Sequence, residues 1–235
     1  MLKNYNKNSG FSYAIGVYPT IELFKNRIQD VTKVVINPKG YRNRGVEELI
    51  SICRKKGVRV EESQKSVDLL SKNGNTYAIG VYRKYSSPLS EKGNHLVLVK
   101  PEDMGNLGTI CRTMLAFGIK NLAIIRPGVD AFDPKVGRAS MGALYNINFQ
   151  YFNTFDDYMK KFKKNVYTFM IDGTNSLSET SFEEPYSLVY GSEGAGLESD
   201  FKNYGKSVKI EQTSDVDSLN LSIAVGISLY KAAFK

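Results

Sequence analysis

The chain has 235 residues, 42% of them hydrophobic, and a formal net charge of +8. That is length for one or two domains and apolar material for a sizeable core, yet no segment approaches the ~20 unbroken apolar residues of a membrane span. One histidine and two cysteines exclude a multi-histidine zinc site and a disulfide framework, so no metal is expected. The polar start, "MLKNYNKNSG", has no apolar stretch behind it of the kind a secretory signal carries, and the expected location is the cytoplasm.

The first part alternates element types. "PTIELFKNRI" reads as a helix after Pro19, and "VTKVVINP" as a strand stopped by Asn-Pro. "GVEELISICRKKG" is an amphipathic helix ending at Gly57 with basic residues in its last turn. "VRVEES" is a short strand, "SVDLLSK" a short helix and "YAIGVY" a further strand. "YAIGVY" occurs twice, at 13–18 and 77–82, but its flanks diverge, so no duplication is inferred. "RKYSSPLSEKGN" is polar, without apolar period, and is the best linker candidate. Residues 1–93 hold 17 Lys+Arg against 8 Asp+Glu, a net +9; residues 94–235 hold 15 against 16, a net −1. A basic module joined to a near-neutral one points to a polyanion partner for the first.

The second part alternates again. "HLVLVK" is a strand, 107–118 a helix and "NLAIIRP" a strand, followed by "DPKVGRASMGAL" as a loop and short helix. "INFQYF", "TFDDYMKKFKK" and "VYTFMID" read strand, helix, strand. "YSLVYGSEGAGL" is a strand running into a glycine loop, "ESDFKNY" a helical turn, "KSVKIE" a strand and "SLNLSIAVGISLYKAAF" the closing helix. Near-continuous apolar strands between helices argue for a mainly parallel sheet covered on both faces. His95 enters a buried strand and reads as structural, as do the two cysteines, Cys53 and Cys111.

Ligands gather outside the carboxyl ends of parallel strands, and three such junctions carry unusual residues. In "PEDMGNLGTICR", Asn106 reads as a helix cap, but Arg112 sits within an apolar helical pattern where an unpartnered guanidinium would be costly. Arg112 is therefore read as facing a cleft. In "GSEGAGL" the glycines at 191, 194 and 196 do not keep the G-x-G-x-x-G spacing, which argues against a nicotinamide-type dinucleotide site. Glu193 within it is a loop acid, a partner for Arg112, or a holder of a ligand group. In "DSLNLSIAVGIS", Ser218 reads as a helix cap and Asn220 falls in the first turn.

These stretches resemble the three motifs of the SpoU/TrmH family of RNA ribose 2′-O-methyltransferases, in the SPOUT superfamily. "NLGTICRTMLAFG", "LVYGSEGAGL" and "SLNLSIAVGISLY" match them in order and spacing over about residues 95–235, and "RASMGAL" resembles the segment between the first two. The resemblance implies an α/β fold in which residues 95–235 form a SPOUT methyltransferase domain with a deep trefoil knot, an exception to unknotted chains. It implies that residues 1–85 form a small α/β ribosomal-protein-like RNA-binding domain, with 86–94 as linker. It further implies S-adenosylmethionine as cofactor, RNA as partner (rRNA or tRNA, with the front domain leaning towards rRNA), and a homodimer whose sites are completed across the subunit interface. Carried over, Asn106, Arg112, Glu193, Ser218 and Asn220 fall on the catalytic positions, and Gly191, Ile210, Leu219 and, more weakly, Thr168 on the cofactor positions. One run departs: where the family shows Ile-Pro-Met and then a glycine, Ile210 is followed by "EQTSD". The expected mechanism makes Arg112, held by Asn106 and Glu193, a phosphate anchor that orients the ribose hydroxyl, because a guanidinium does not deprotonate near neutral pH. The alternatives are a non-catalytic RNA-binding protein that keeps the fold and a Rossmann oxidoreductase.

Overall fold

A computed structural model describes residues 2–71 and 75–234, so Lys72, at the end of the predicted short helix, lies outside the described residues. In chain order the elements are β1 (Phe11–Ile15), α1 (Val17–Arg27), β2 (Val31–Ile36), α2 (Arg44–Lys56), β3 (Arg59–Glu62), α3 (Gln64–Leu70), β4 (Ala78–Arg83), β5 (His95–Val99), α4 (Met104–Ala116), β6 (Asn121–Ile125), α5 (Pro134–Ala139), β7 (Asn148–Phe152), α6 (Phe155–Lys161), β8 (Asn165–Phe169), β9 (Asn175–Ser176), β10 (Tyr186–Tyr190), β11 (Lys206–Lys209) and α7 (Leu221–Ala233). They form two compact units, one of residues up to Tyr85 with Asp130–Asn146, the other of Ser86–Val129 with Ile147–Lys235.

The first unit is a four-stranded sheet in the order β1-β4-β2-β3, with only β2 and β3 parallel. The repeated hexapeptides prove to be antiparallel neighbours, with Tyr13, Ala14 and Ile15 opposite Val81, Gly80 and Ile79. The first copy does not stay extended to its end. Gly16, at φ 111°, turns the chain, and α1 starts at Val17, two residues before the predicted proline start. Ile21, Phe24, Val34, Ile36, Val46, Leu49 and Cys53 build one core; Tyr13, Ile15, Val35, Val67, Ile79 and Val81 build the other. α2 ends as predicted, on Gly57 in the left-handed region.

Two boundaries differ from the sequence expectation. Asp130–Asn146, predicted within the 95–235 domain, packs with the first unit: Ser12 Oγ donates to the Phe132 carbonyl at 2.5 Å, Arg27 Nε to that of Tyr145 at 3.1 Å, and the Tyr145 ring lies edge-on to Tyr82 at 5.4 Å. Phe132, Leu144 and Tyr145 are its apolar anchors, and they find the aromatic surface around Tyr82. The predicted linker, 86–94, is seated on the second unit instead. Leu89 enters its core, the Ser90 amide donates to Asn121 Oδ1 at 2.9 Å, and Ser87 Oγ to Asn148 Oδ1 at 2.8 Å.

The second unit is a parallel sheet of seven strands, β7-β6-β5-β10-β8-β11-β9. All five residues of β5, β6 and β10 are buried, as a strand covered on both faces requires. His95 is fully buried there. Its Nε2 lies 2.7 Å from the Ser90 carbonyl, which can only accept, so Nε2 carries the proton. Nδ1 then accepts from Tyr158 Oη at 2.8 Å, and Tyr158 in turn accepts from Ser187 Oγ at 2.6 Å. Burial pushes the imidazole down to about 4, so it stays neutral and structural.

Candidate functional site

β5 and β10 are parallel neighbours, with Tyr190 opposite Leu98. The segments that follow them, 100–106 and 191–197, therefore leave the sheet at one edge, although some 90 positions separate them in sequence. That edge is where Asn106 and Glu193 meet. Asp103, not Asn106, caps α4, accepting from the Asn106 amide at 2.7 Å. Asn106 sits in the first turn, and its side chain is free for another task. Its Nδ2 donates to Glu193 Oε1 at 3.1 Å. The Glu193 carboxylate also accepts from the backbone amides of Glu102 at 2.9 Å and Asp103 at 3.1 Å. A carboxylate facing three N–H groups at a helix N-terminus is well placed for its charge.

The third motif joins the same network. Asn220, predicted in the first turn, is itself the cap of α7: its Oδ1 accepts from the Ser222 amide at 2.9 Å and from Ser222 Oγ at 2.7 Å. Ser218, predicted as that cap, lies two residues earlier and lines a cleft instead. With Oδ1 taken, Asn220 turns its Nδ2 to Asn106 Oδ1 at 3.2 Å. The result is a directional relay, Ser222 to Asn220 to Asn106 to Glu193, in which each donor choice orients the next amide.

Arg112 is not part of it. Six residues after Asn106 on a helix, it lies about 9 Å along the axis and about 120° around it. It is exposed, on the outer face of α4 with Gly105, Thr109 and Ala116, and has no ion pair among the described residues. The expected contact of Asn106 and Glu193 with Arg112 is absent within one chain. The flank of α4 next to it faces α7, where Gly226 lies under Thr113. Cys111, the neighbour on the inner face, is buried, and desolvation pushes its thiol up to about 12, so it is inert.

Beside the relay lies an open cleft. The glycine loop forms one wall. A Cβ on Gly191 would lie 1.9 Å from the Gly196 carbonyl carbon, so only glycine lets the loop fold back on itself. Gly196, at φ 68°, completes the turn, and its amide donates to the Ser192 carbonyl at 3.1 Å. Phe169, Met170, Ile210, Leu219 and Leu221 supply apolar walls, and Glu193, Gln212 and Ser218 polar ones. Gly191, Ile210 and Leu219 thus line one cleft. Thr168 does not reach the cleft wall: it lies one residue deeper in β8 than Phe169, fully buried. Apolar sides with polar groups on Glu193, Gln212 and Ser218 suit a flat base carrying a polar tail, so the residues fit an adenosyl group.

Two residues of this arrangement, Asp103 and Ser222, were not singled out from sequence, and Gln212 stood out only as part of the run that departs from the family pattern. Asp103 was readable as an acid three positions before the residue whose amide it caps. Ser222 is bound to Asn220, two residues before it, once Asn220 is the cap, whereas the partners of Gln212 are set by the loop it closes.

A model of the SpoU rRNA methylase family matches residues 93–230. A tRNA/rRNA methyltransferase of Synechocystis, itself uncharacterised, is 36% identical over 141 residues, 58% of this chain and 52% of the relative, so the match spans about half of that protein's length. A 23S rRNA (adenosine(1067)-2′-O)-methyltransferase of Streptomyces laurentii is 26% identical over 79% of this chain and 73% of its own length. The structure of an rRNA methyltransferase from Sinorhizobium meliloti with bound AdoMet superposes with a TM-score of 0.80 and 25% identity, covering 94% of this chain and 86% of that one.

Proposed function

The chain belongs to the SpoU rRNA methylase family, and from that premise we propose that it transfers a methyl group from S-adenosylmethionine to a ribose 2′-hydroxyl of structured RNA. The observation that carries this reading is the relay of Asn220, Asn106 and Glu193 at the rim of the glycine-loop cleft. Bound in that cleft, S-adenosylmethionine supplies an electrophilic methyl group on a positively charged sulfur. Gly191, Ile210 and Leu219 hold it, through backbone groups and apolar contact, and Ser218 shapes the same wall.

Glu193 is a strut in this scheme, because its oxygens are already engaged by three donors. It holds the start of α4 and the amide of Asn106, and Asn220 fixes that amide from the other side. Arg112 stays charged at neutral pH. It anchors a phosphate beside the target ribose and stabilises negative charge developing on the 2′-oxygen, whose proton passes to that phosphate or to solvent. Since Arg112 stands apart from the relay within one protomer, we assign it to the site of a second protomer. The exposed face of α7 supports a homodimer: Ile223, Ile227 and Tyr230, with Phe234 just after the helix, are 54%, 40%, 60% and 63% exposed.

We assign RNA capture to the first unit, as the ribosomal-protein-like module. Lys39, Arg42 and Arg44, exposed around the start of α2, have no ion pair among the described residues. Cations at a helix N-terminus are unfavourable without an anion nearby, and RNA phosphates supply one. Ribosomal RNA is the favoured substrate, supported by the Streptomyces and Sinorhizobium likenesses that extend beyond residues 93–230. The deep trefoil knot belongs to this reading as well: Ser218 and Leu219, after β11, return to the cleft that the loop after β10 lines. No helix among the described residues is long and apolar enough to cross a membrane, and we place the enzyme in the cytoplasm.

The test is methyl transfer from labelled S-adenosylmethionine to total RNA of cells lacking the protein, followed by separation of rRNA from tRNA and nucleoside analysis. Label in a 2′-O-methylated nucleoside is expected. No label together with no cofactor binding points to a non-catalytic RNA-binding protein.

A further inference from the structure

The run that departs from the family pattern, residues 211–217, connects Ile210 to Ser218 and Leu219, and all three of those residues line the cleft. An exposed connection with neither proline nor glycine has many conformations to lose when a ligand orders it. Here its own side chains tie it down. Gln212 Nε2 lies 3.3 Å from the Val216 carbonyl oxygen and 3.2 Å from that of Asp217. Both carbonyls accept from this one amide group, closing the loop directly against Ser218. At the root, the Glu211 carboxylate accepts from Ser176 Oγ and from the Ser178 amide, which pulls it down to about 2. The Ser178 carbonyl accepts from Lys231 Nζ of α7 at 2.9 Å. At the tip, Thr213 Oγ1 donates to Asp215 Oδ2 at 3.0 Å.

The two carbonyls fix which way the Gln212 amide points. Its Oε1 has no partner among the described residues, on a side chain that lines the cleft. An amide oxygen there accepts from a ligand N–H. An adenosyl cofactor offers two such donors, the adenine exocyclic amine and the ammonium of its amino-acid tail. Ile210, two residues before Gln212, and Leu219 and Leu221 line the same cleft and are apolar, which suits the flat base rather than the charged tail.

We propose that Gln212 is a cofactor-selecting residue: its amide hydrogens hold the Ser218–Leu219 wall in place and its amide oxygen reads the adenine amine. This rests on the methyltransferase reading above. The test is calorimetric binding of S-adenosylhomocysteine and of its inosine counterpart, in which a carbonyl replaces the exocyclic amine, to the full chain and to Gln212→Met. The unaltered chain is expected to prefer the adenosine compound at least tenfold. Gln212→Met, with a side chain of similar size and no amide, is expected to weaken it about tenfold and bring the two ligands within about threefold, with the thermal unfolding midpoint unchanged. Equal affinity of both proteins for S-adenosylhomocysteine, or intact discrimination in Gln212→Met, overturns the proposal alone. Binding of neither ligand by the unaltered chain overturns the methyltransferase reading and this inference with it.

Discussion

Replacing Glu193 by glutamine tests whether its carboxylate is a strut or a base. Its oxygens accept from the Asp103 amide and Asn106 Nδ2 on one side and from the Glu102 amide on the other. A glutamine can keep its single oxygen toward the first pair. Its NH₂ group then faces the Glu102 N–H, so one bond is lost outright and two become neutral. Bonds to charged groups contribute about 1.5–3 kcal/mol and neutral ones about 0.5–1.5 kcal/mol. The gross loss is roughly 4 kcal/mol; because Glu193 is half-buried and water replaces part of it, about 2 kcal/mol remains. If all of that misplaces Asn106 in the transition state, kcat/KM falls about 30-fold. The assay is single-turnover methyl transfer across pH 5.5–9 with the reactive RNA. A strut predicts the lower rate with an unchanged pH profile. Loss of the acidic limb in Glu193→Gln would make the carboxylate a proton acceptor, and a rate within twofold of the unaltered enzyme would show that the three bonds position nothing.

Arg112→Lys is expected to lose most turnover, at least 100-fold, while S-adenosylhomocysteine binding survives, since a lysine cannot reproduce the guanidinium fork; an active lysine variant removes Arg112 from the mechanism. Ile227→Glu places a charge in the exposed stripe of α7 and is expected to sediment as a monomer and to lose turnover with it, whereas a stable dimer would place the interface elsewhere. Changing Lys39, Arg42 and Arg44 together to alanine should make the log Kd against log salt slope for RNA shallower by roughly 2 to 3 without altering cofactor affinity; an unchanged slope moves the RNA to another surface. His95 sets a pH limit on stability. Its folded value, about 4, lies below its ordinary 6.5, so its contribution is complete above about pH 6.5 and is lost as the pH falls toward 4. The loss amounts to about 3 kcal/mol, and urea titrations of His95→Gln between pH 4 and 7 should show a flatter dependence than the unaltered chain.

Element types were largely legible because their causes are local. Apolar period, β-branched runs and the glycine after the basic turn of α2 act over a few residues, and the structure places strands and helices where those signals stand. The polar residues of the three loops were legible for a related reason: an asparagine, a glutamate and a glycine-rich turn at strand ends have few bland uses together. The caps were misread, Asn106 for Asp103 and Ser218 for Asn220, because several cap-competent residues stood within three positions and only the backbone path selects among them. The linker reading failed at Leu89, one apolar residue in a polar run, which is too little to register as a pattern and enough to seat the segment.

What tertiary structure alone decided is partnership. β10 enters the sheet beside β5, and that placement brings Glu193 to Asn106. The arc of α4 turns Arg112 away from both, although all three were read as one cluster. Asp130–Asn146 leaves the strands around it in the chain and joins the first unit, and Gln212 closes a loop onto carbonyls four and five residues ahead. Sequence by itself determined which residues could do chemistry, because side-chain character is a property of single positions. Which of them act together was set by the order of strands in the sheet and by angles around helices, since hydrogen bonds form between atoms that the folded backbone brings within about 3 Å, at whatever distance they stand in the chain.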